Sequence, residues 1–468
     1  MRRMELERVE TDRQEFPLAG RRVVVAGLAR TGLAAVRFLI SRGAEVIASD
    51  RRPEAELHDA ADEARLLGAG LDLGGHTEAR FTGADLIIVS PGVPLTLPAI
   101  EAARSRGVPV LSEVELAWRF LRGRIAGITG SNGKSTTTAL TGAMLSASGV
   151  AARTCGNIGT PLLEMVEQDT RESVYAVELS SFQLEAISLF HPAAAVVVNL
   201  SPDHLDRYRD YGAYVAAKAR IFSNQGREDL AVLNAADSDS ALLHSAVKAP
   251  VKLFSSRGPV EEGACVRREE IVLVAGGTAS PLIPVSEVPI PGRHNLENVM
   301  AAALAALHFG ASLAAIRQAV RSFRALPHRL EYAGRLAGVD YYNDSKATNV
   351  GATIKALESF PGRRVLLLLG GRDKGGDFSA LRSLLADRVA MVLLIGEAAG
   401  AIERQIAGAA PVARCGDMAS AVAQARAAAR EGDVVLLAPG CASFDQYRNY
   451  EERGEHFRRL SGGVEEGR

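Results

Sequence analysis

Cysteine is scarce in this chain, and its four residues, Cys155, Cys265, Cys415 and Cys441, are scattered without a CxxC pair. That spacing argues against a zinc ribbon or a disulfide-stapled secreted scaffold and fits a reducing, cytoplasmic setting. No apolar run reaches the roughly 20 residues that a membrane helix needs, so no membrane insertion is expected. The opening MRRMELERVE is charged and has no apolar h-region, unlike a secretory signal. Neither sign of charge dominates, with 54 Lys and Arg against 55 Asp and Glu. Such a balance disfavours a general nucleic-acid binder. Lysine is rare as well, at positions 134, 218, 248, 252, 346, 355 and 374 only. In a chain that otherwise uses arginine, lysine should persist where a compact, titratable amine is needed.

What is present is the composition of an ordinary soluble globule, 47% hydrophobic and 23% charged over 468 residues. That length suggests about three domains. The strand and helix signals divide the chain at 1–112, 113–325 and 326–468. The expected fold class is α/β, with a Rossmann-like nucleotide-sugar domain, a P-loop ATPase-type central domain and a Rossmann-like C-terminal domain. No tandem repeat or low-complexity tract interrupts them.

In the first segment, RRVVVAGLARTGLAAVRFLISRGAEVIASD reads as a strand, a glycine turn, a helix and a second strand ending at Asp50. A later buried strand, ADLIIV, carries Ser90-Pro91-Gly92 at its C-terminal edge, where open parallel sheets bind ligands. The turn departs from GxGxxG: Gly27 and Gly32 are present, but Ala29 holds the middle position. A methyl group there hinders close approach of a dinucleotide pyrophosphate. A nicotinamide dehydrogenase is therefore disfavoured, whereas a mononucleotide or nucleotide-sugar still fits.

The second segment places a strand from Arg124 to Thr129, the loop GSNGKSTT, and a helix in succession. Gly130 and Gly133 let N–H groups surround phosphates at a helix N-terminus. Lys134 would reach the β/γ oxygens, and Ser135 is placed to ligate Mg²⁺. Two further apolar strands end in polar residues, one at Glu178 and one before His204, both suited to lie beside the loop. The blander alternative for His204 is a solvent-exposed residue beside a helix cap at Asp203 or Ser201. A strand at EDLAVLNAAD and a helix after PGRHNLENV complete this segment, with His294-Asn295 and Asn298 as adenine contacts or caps. In the third segment, VDYYNDSKATN, RRVLLLLGGRDKGGDF, RVAMVLLIGE and GDVVLLAPGCASFDQY are four strand-then-loop units. The near-continuous apolar VLLLLGG suits a strand covered on both faces.

Taken together, GLARTGLA, SPGV, GITGSNGKSTT, GNIG, ELSSFQLE, SPDHLDRY, AAKARI, PGRHNLENV, LPHRLE, NDSKATN, GGRDKGGDF and PGCASFDQYRNYEERG resemble the Mur ligases nearly end to end. ELSSFQLE, NDSKATN and ASFDQ are most similar to the D-glutamate-adding branch, and no DNPR motif of the diamino-acid-adding relatives is present. The resemblance implies ATP-dependent carboxylate–amine ligation in peptidoglycan synthesis, on UDP-N-acetylmuramoyl-L-alanine and D-glutamate, by a cytoplasmic monomer. It implies that Gly130, Ser131, Asn132, Gly133, Lys134, Ser135 and Thr136 hold ATP phosphates, and that Asn295, Asn298, Arg329 and Asp344 contact the nucleotide. Glu178, His204 and a carbamylated Lys218, with Ser135, would form the site of two Mg²⁺ ions. Asn157 and Lys346 would act at the reacting centre. Thr31, Asp50, Arg51, Ser90 and Gly92 would face the uridine diphosphate, and Thr348, Lys374, Ser443, Phe444 and Tyr450 the D-glutamate. Arg51 and Tyr450 depart from the small polar residue and the phenylalanine expected there.

Rival readings are a folylpolyglutamate-type or other amino-acid ligase, or a nucleotide-sugar-binding ATP switch without turnover. Four of the seven lysines fall inside these motifs, at 134, 218, 346 and 374. Lys134→Ala should therefore abolish phosphate release from ATP, while Lys248→Ala leaves it nearly intact; equal losses would contradict the role given to lysine.

Overall fold

The computed structural model describes residues 16–205 and 207–462. The MRRMELERVE segment and Asp206 of SPDHLDRY lie outside the described residues.

Strands β1 (Arg22–Ala26), β2 (Glu45–Asp50), β3 (Gly70–Leu73), β4 (Leu86–Val89) and β5 (Val110–Ser112) form a parallel sheet in the order β3-β2-β1-β4-β5. The order reverses between β1 and β4, so their C-terminal ends open a crevice at the point where doubly wound sheets bind ligands. Both glycines of the first turn are required. Gly27 has φ +91°, and a Cβ at Gly32 would collide with the Gly27 carbonyl.

The central sheet has nine strands: β6 (Arg124–Thr129), β7 (Ala152–Gly156), β8 (Val174–Glu178), β9 (Ala194–Val197), β10 (Leu230–Asn234), β11 (Val251–Ser255), β12 (Gly263–Arg267), β13 (Glu270–Ala275) and β14 (Thr278–Pro284). Their order is β14-β13-β12-β11-β10-β9-β6-β8-β7. The helices Lys134–Ala147 and Arg293–His308 pack on one face of it. This corrects the sequence reading, which closed the segment with one strand and one helix and missed β7 and β11 to β14. The last three strands form an antiparallel meander whose Gly-, Ser- and Pro-rich stretches hide the strand alternation.

The C-terminal sheet runs β15-β16-β20-β17-β18-β19, built from β15 (Glu331–Leu336), β16 (Val339–Asn343), β17 (Val365–Gly370), β18 (Val389–Ile395), β19 (Val412–Gly416) and β20 (Val434–Leu437). All six residues of β17 are buried, as the apolar run requires. Here β15 pairs antiparallel with β16, an edge hairpin not anticipated from sequence, as was β19.

Helix Glu113–Phe120 joins the first two sheets. Its Val114, Leu116, Ala117 and Trp118 belong to one apolar cluster that runs from Val23 and Leu39 to Leu233. The clusters of the C-terminal sheet contain no residue from the other two sheets among the described residues. Two acidic residues anchor the joining helix. The Glu115 carboxylate accepts the N–H groups of Ser188, Leu189 and Phe190 and pairs with Arg119 at 2.8 Å. Glu113 Oε1 accepts the Leu163 N–H at 2.7 Å, while its Oε2 is buried without a partner. No helix among the described residues is long and apolar enough to cross a membrane.

Burial, aided by the nearby Glu164 charge, pushes the Glu113 carboxyl up to about 7 against the Leu163 and Leu162 N–H groups. The folded chain thus holds a proton that the unfolded chain releases at lower pH. This contribution to stability is present at low pH and is lost as pH rises toward 7. Between pH 5 and 7.5 the protein should lose on the order of 2 kcal/mol more than its Glu113→Gln variant in urea unfolding; parallel profiles would contradict the assignment.

Candidate active site

At the C-terminal end of β6 the chain enters a loop at Thr129, and helix Lys134–Ala147 starts beyond it. Gly130 (φ +149°) and Gly133 (φ +83°) make the turn, and a Cβ at Gly133 would collide with the Asn298 amide. The first-turn N–H groups of the helix have no intrahelical acceptor, so loop and helix present donors to an anion. Asn199 holds the loop from the neighbouring strand end. Its Oδ1 accepts the Asn132 N–H at 2.9 Å and its Nδ2 donates to the Asn132 carbonyl at 3.0 Å. Asn298 Oδ1 accepts from Thr137 at 3.2 Å, and its amide donates to Asn295 Oδ1 at 2.9 Å. Neither asparagine caps the helix, because Gly292 occupies the cap position. They line a pocket with Gly133, Thr136, Arg329, Asp344 and Lys346.

Two amines converge on this loop. Lys134 Nζ donates to the carbonyls of Gly130 and Ser131, each at 2.9 Å. Lys218 Nζ donates to the same Gly130 carbonyl at 2.8 Å and contacts Thr129 Oγ1 at 3.3 Å. Far from being a solvated lysine, Lys218 is only 1% exposed. Withdrawal from water lowers both amines, and for Lys218 the neighbouring Lys134 charge lowers it further. Beside them Glu178, at the end of β8, is buried. Its Oε1 accepts from Asn157 Nδ2 at 2.7 Å, and its Oε2 has no partner. His204 takes φ +55°, with its Nε2 3.7 Å from Asp203 and its ring edge-on to Phe182 at 4.8 Å. Asp203 caps no helix; it accepts the His204 N–H and the Asn349 amide. Burial depresses the His204 imidazole, and Lys374, Lys134 and Lys218 add to that against Asp203.

From the C-terminal domain, Arg329 donates to Ser135 Oγ at 2.5 Å. Asp344, at the end of β16, is pushed up to about 7 by burial against Arg329 and the Leu330 N–H. Lys346 stands over the Tyr450 ring, its Nζ 3.5 Å from the centroid. Burial and Arg329 bring its amine down to about 8, opposed by Glu178 and Glu451. Ser443 is buried and Thr348 half-buried, whereas Lys374 and Phe444 are exposed on separate loops.

The crevice between β1 and β4 gathers Thr31, Asp50, Arg51, Ser90 and Gly92 in a cleft of about 580 Å³. Ser90 Oγ donates to the Gly27 carbonyl at 2.8 Å, tying the two strand ends together. Asp50 accepts from the Leu28 N–H and from Arg52. Although burial opposes it, these bonds hold its carboxyl below the ordinary range. Arg51 is exposed and leaves this pairing to Arg52.

Profiles of three domains match the chain: a Mur ligase MurD-like N-terminal domain over residues 21–112, a Mur ligase middle domain over 128–306, and a Mur ligase glutamate ligase domain over 328–441. The chain belongs to the Mur ligase family. The UDP-N-acetylmuramoylalanine--D-glutamate ligase of Solibacter usitatus is 48% identical over 448 residues, 96% of this chain and 99% of that protein. The protein of the same name from Anaeromyxobacter dehalogenans is 48% identical over 458 residues, covering 95% and 98%. Among solved structures, MurF from Acinetobacter baumannii superposes with a TM-score of 0.59 at 16% identity, covering 96% of this chain and 92% of that one. A pseudomurein peptide ligase type C from Methanothermus fervidus gives 0.57 at 18%, covering 89% and 96%. Likeness at these identities is a likeness of fold.

Several parts of this Mur ligase site escaped the sequence reading. Asn199, at the end of the strand before His204, was given no role. Tyr214, whose hydroxyl is 3.0 Å from Ser131 Oγ, looked like an ordinary helix residue. Arg453, 1% exposed, donates to the carbonyls of Ser345 and Cys441 and so joins the NDSK and PGCAS loops. Nothing in EERGEH singles out that arginine. As for a metal, no three His, Cys, Asp or Glu side chains converge on one point among the described residues. The unpartnered Glu178 Oε2, with Ser135 close to the loop, suits Mg²⁺, which takes one or two protein oxygens and fills its shell with phosphate and water.

The Lys346 amine is charged below about pH 8 and neutral above it. kcat/KM for ATP, which reports the free enzyme, should therefore fall as pH rises through 8. Lys346→Arg keeps its charge at higher pH and should move the fall upward while lowering the plateau; an unmoved limb would assign it to another group.

Proposed function

We infer that this Mur ligase joins D-glutamate to UDP-N-acetylmuramoyl-L-alanine in peptidoglycan synthesis and converts ATP to ADP and phosphate, the reaction its full-length relatives are named for. The observation that carries the chemistry is the meeting of a phosphate loop, the buried Glu178 and the amines of Lys134, Lys218 and Lys346 on one centre. The domain limits are assigned at 1–112, 113–325 and 326–468.

The substrate's L-alanine carboxylate attacks the γ-phosphorus, ADP departs, and an acyl phosphate forms. The D-glutamate amine then adds to that carbonyl, giving a tetrahedral intermediate that expels phosphate and leaves an amide. Both steps bring anions together, so fixed positive charge and N–H donors must already be in place. Residues Gly130 to Thr136 and the helix N-terminus hold the phosphates, and Lys134 swings from its own loop carbonyls to the β/γ oxygens. Asn295, Asn298, Arg329 and Asp344 hold the nucleoside end, with Arg329 tying the C-terminal domain to the loop. Asn157 orients Glu178 and faces the reacting carboxylate. Lys346, steadied by Tyr450, places a cation at the acyl phosphate, while Lys374, Thr348, Ser443 and Phe444 receive D-glutamate. Thr31, Asp50, Arg51, Ser90 and Gly92 hold the uridine diphosphate end.

Glu178, Ser135 and His204 would hold Mg²⁺, which neutralises charge on the transferring phosphoryl group. The buried Lys218 amine, favoured in its neutral form, can add CO₂ with loss of one proton to give a carbamate, a further anionic ligand close to Glu178. Native mass spectrometry that finds Lys218 unmodified in active protein would remove that ligand. The scattered free cysteines fit a reducing cytoplasm, and a monomer is the proposed state.

Phosphate release from ATP and Mg²⁺ with UDP-N-acetylmuramoyl-L-alanine should require D-glutamate and fail with L-glutamate or meso-diaminopimelate. Release with another amino acid would keep the ligase chemistry and overturn the substrate. Tight ATP binding without release would favour a switch protein.

A further inference from the structure

Arg207 belongs to the central domain, three residues after His204, yet its guanidinium reaches the first domain. Nη1 donates to the Pro91 carbonyl at 3.0 Å and Nη2 to the Val93 carbonyl at 2.9 Å. The guanidinium is further held by Glu185, whose Oε2 lies 3.5 Å from Nη2, and by the Phe182 ring, whose centroid lies 4.2 Å from Cζ. Only 16% of the side chain is exposed. A planar two-pronged donor suits two carbonyls on one turn, and a lysine could not hold both in a fixed direction.

Those carbonyls flank Gly92, which lines the cleft at the β1–β4 crevice. In a trans peptide the carbonyl and the following N–H point in opposite directions. Fixing the Pro91 carbonyl on Arg207 therefore turns the Gly92 N–H away from the guanidinium. The Val93 N–H is taken up by the Ser90 carbonyl at 3.0 Å, whereas the Gly92 N–H has no acceptor among the described residues. A free backbone N–H held in one direction at the edge of a cleft is a donor for a phosphate oxygen. Phe182, on which Arg207 rests, also touches the His204 ring, so one packed unit spans the cleft loop and the loop of the reacting centre.

We propose that Arg207 is a positioning residue for the UDP-linked substrate: it sets the Ser90–Val93 turn so that the Gly92 N–H meets the diphosphate, and it locks that turn to the His204 loop. Arg207 itself does not touch the substrate. The proposal rests on the reading of the cleft as the UDP-substrate site.

The test is steady-state kinetics of Arg207→Met and Arg207→Lys for all three substrates, with calorimetric titration of UDP-N-acetylmuramoyl-L-alanine and a thermal melt. Arg207→Met should raise KM and Kd for the UDP substrate about tenfold or more, the scale expected for charge-assisted bonds. KM for ATP and for D-glutamate should rise less than that for the UDP substrate, because Arg207 reaches the His204 loop only through the shared Phe182 ring. Arg207→Lys, the gentler change, should recover part of the loss and reads the same split if the methionine variant folds poorly. An unchanged UDP-substrate KM in either folded variant, or an equal rise in all three KM values, would overturn the proposal. Wild-type protein that turns over ATP but gives no heat with UDP-N-acetylmuramoyl-L-alanine would instead remove the cleft reading beneath it.

Discussion

The carbonyl of Gly130 accepts from Lys134 and from Lys218 at once. Two amines drawn to one acceptor in a site withdrawn from water cannot comfortably both carry charge, because their repulsion grows as the effective dielectric falls, and this favours the neutral form of Lys218. Glu178 and Asp203 relieve part of it. The remainder is a standing demand for negative charge, and the open helix N-terminus points the same way. Much of the surrounding structure serves to keep these amines where they are. The glycines let the loop turn under them, Asn199 and Tyr214 brace it from two other elements, and Asn157 aims Glu178. A triphosphate entering this loop would meet that demand, so the placement of Lys134 would be coupled to nucleotide binding.

Around that centre the three domains are fastened in different ways. The joining helix and a shared apolar cluster press the first domain onto the second, with Glu113 and Glu115 satisfying backbone donors along the seam. The third domain meets the second through polar contacts, Arg329 with Ser135 and Asn349 with Asp203. Those contacts involve the groups that nucleotide and metal would engage. On the proposed function, what the phosphate loop holds would bear on the grip of the third domain, as exclusion of water from the reacting centre requires.

The sequence carried most of the architecture because each sheet is built from apolar runs that end in polar loops, and the end of a parallel strand is where such folds work. Strands ending at Thr129, Glu178 and Asp50 could be placed without coordinates. The meander of β12 to β14 could not, since its antiparallel pairing depends on turns between Gly- and Ser-rich stretches. Side chains whose partners lie far away in the chain were equally hidden. Lys218 in AAKAR has the local pattern of an exposed helical lysine, and only the packing of Tyr214 and the loop over it shows it to be buried. Arg207 and Arg453 sit among other charged residues, and what separates them from their neighbours is the carbonyl each meets more than ten residues away. Arg51, read by similarity to face the uridine diphosphate, lines the cleft, while the neighbouring Arg52 pairs with Asp50.

The apolar cluster that crosses from β1 through the joining helix into the central sheet has a consequence for cooperativity. Elements that share one continuous core lose it together, so the first two domains form a single unfolding unit although they contain two sheets. The C-terminal domain keeps its apolar clusters to itself and is a separate unit with its own stability. Its amide protons can exchange through an opening that leaves the phosphate loop folded, so ligand at the loop would protect two regions of the chain by different amounts.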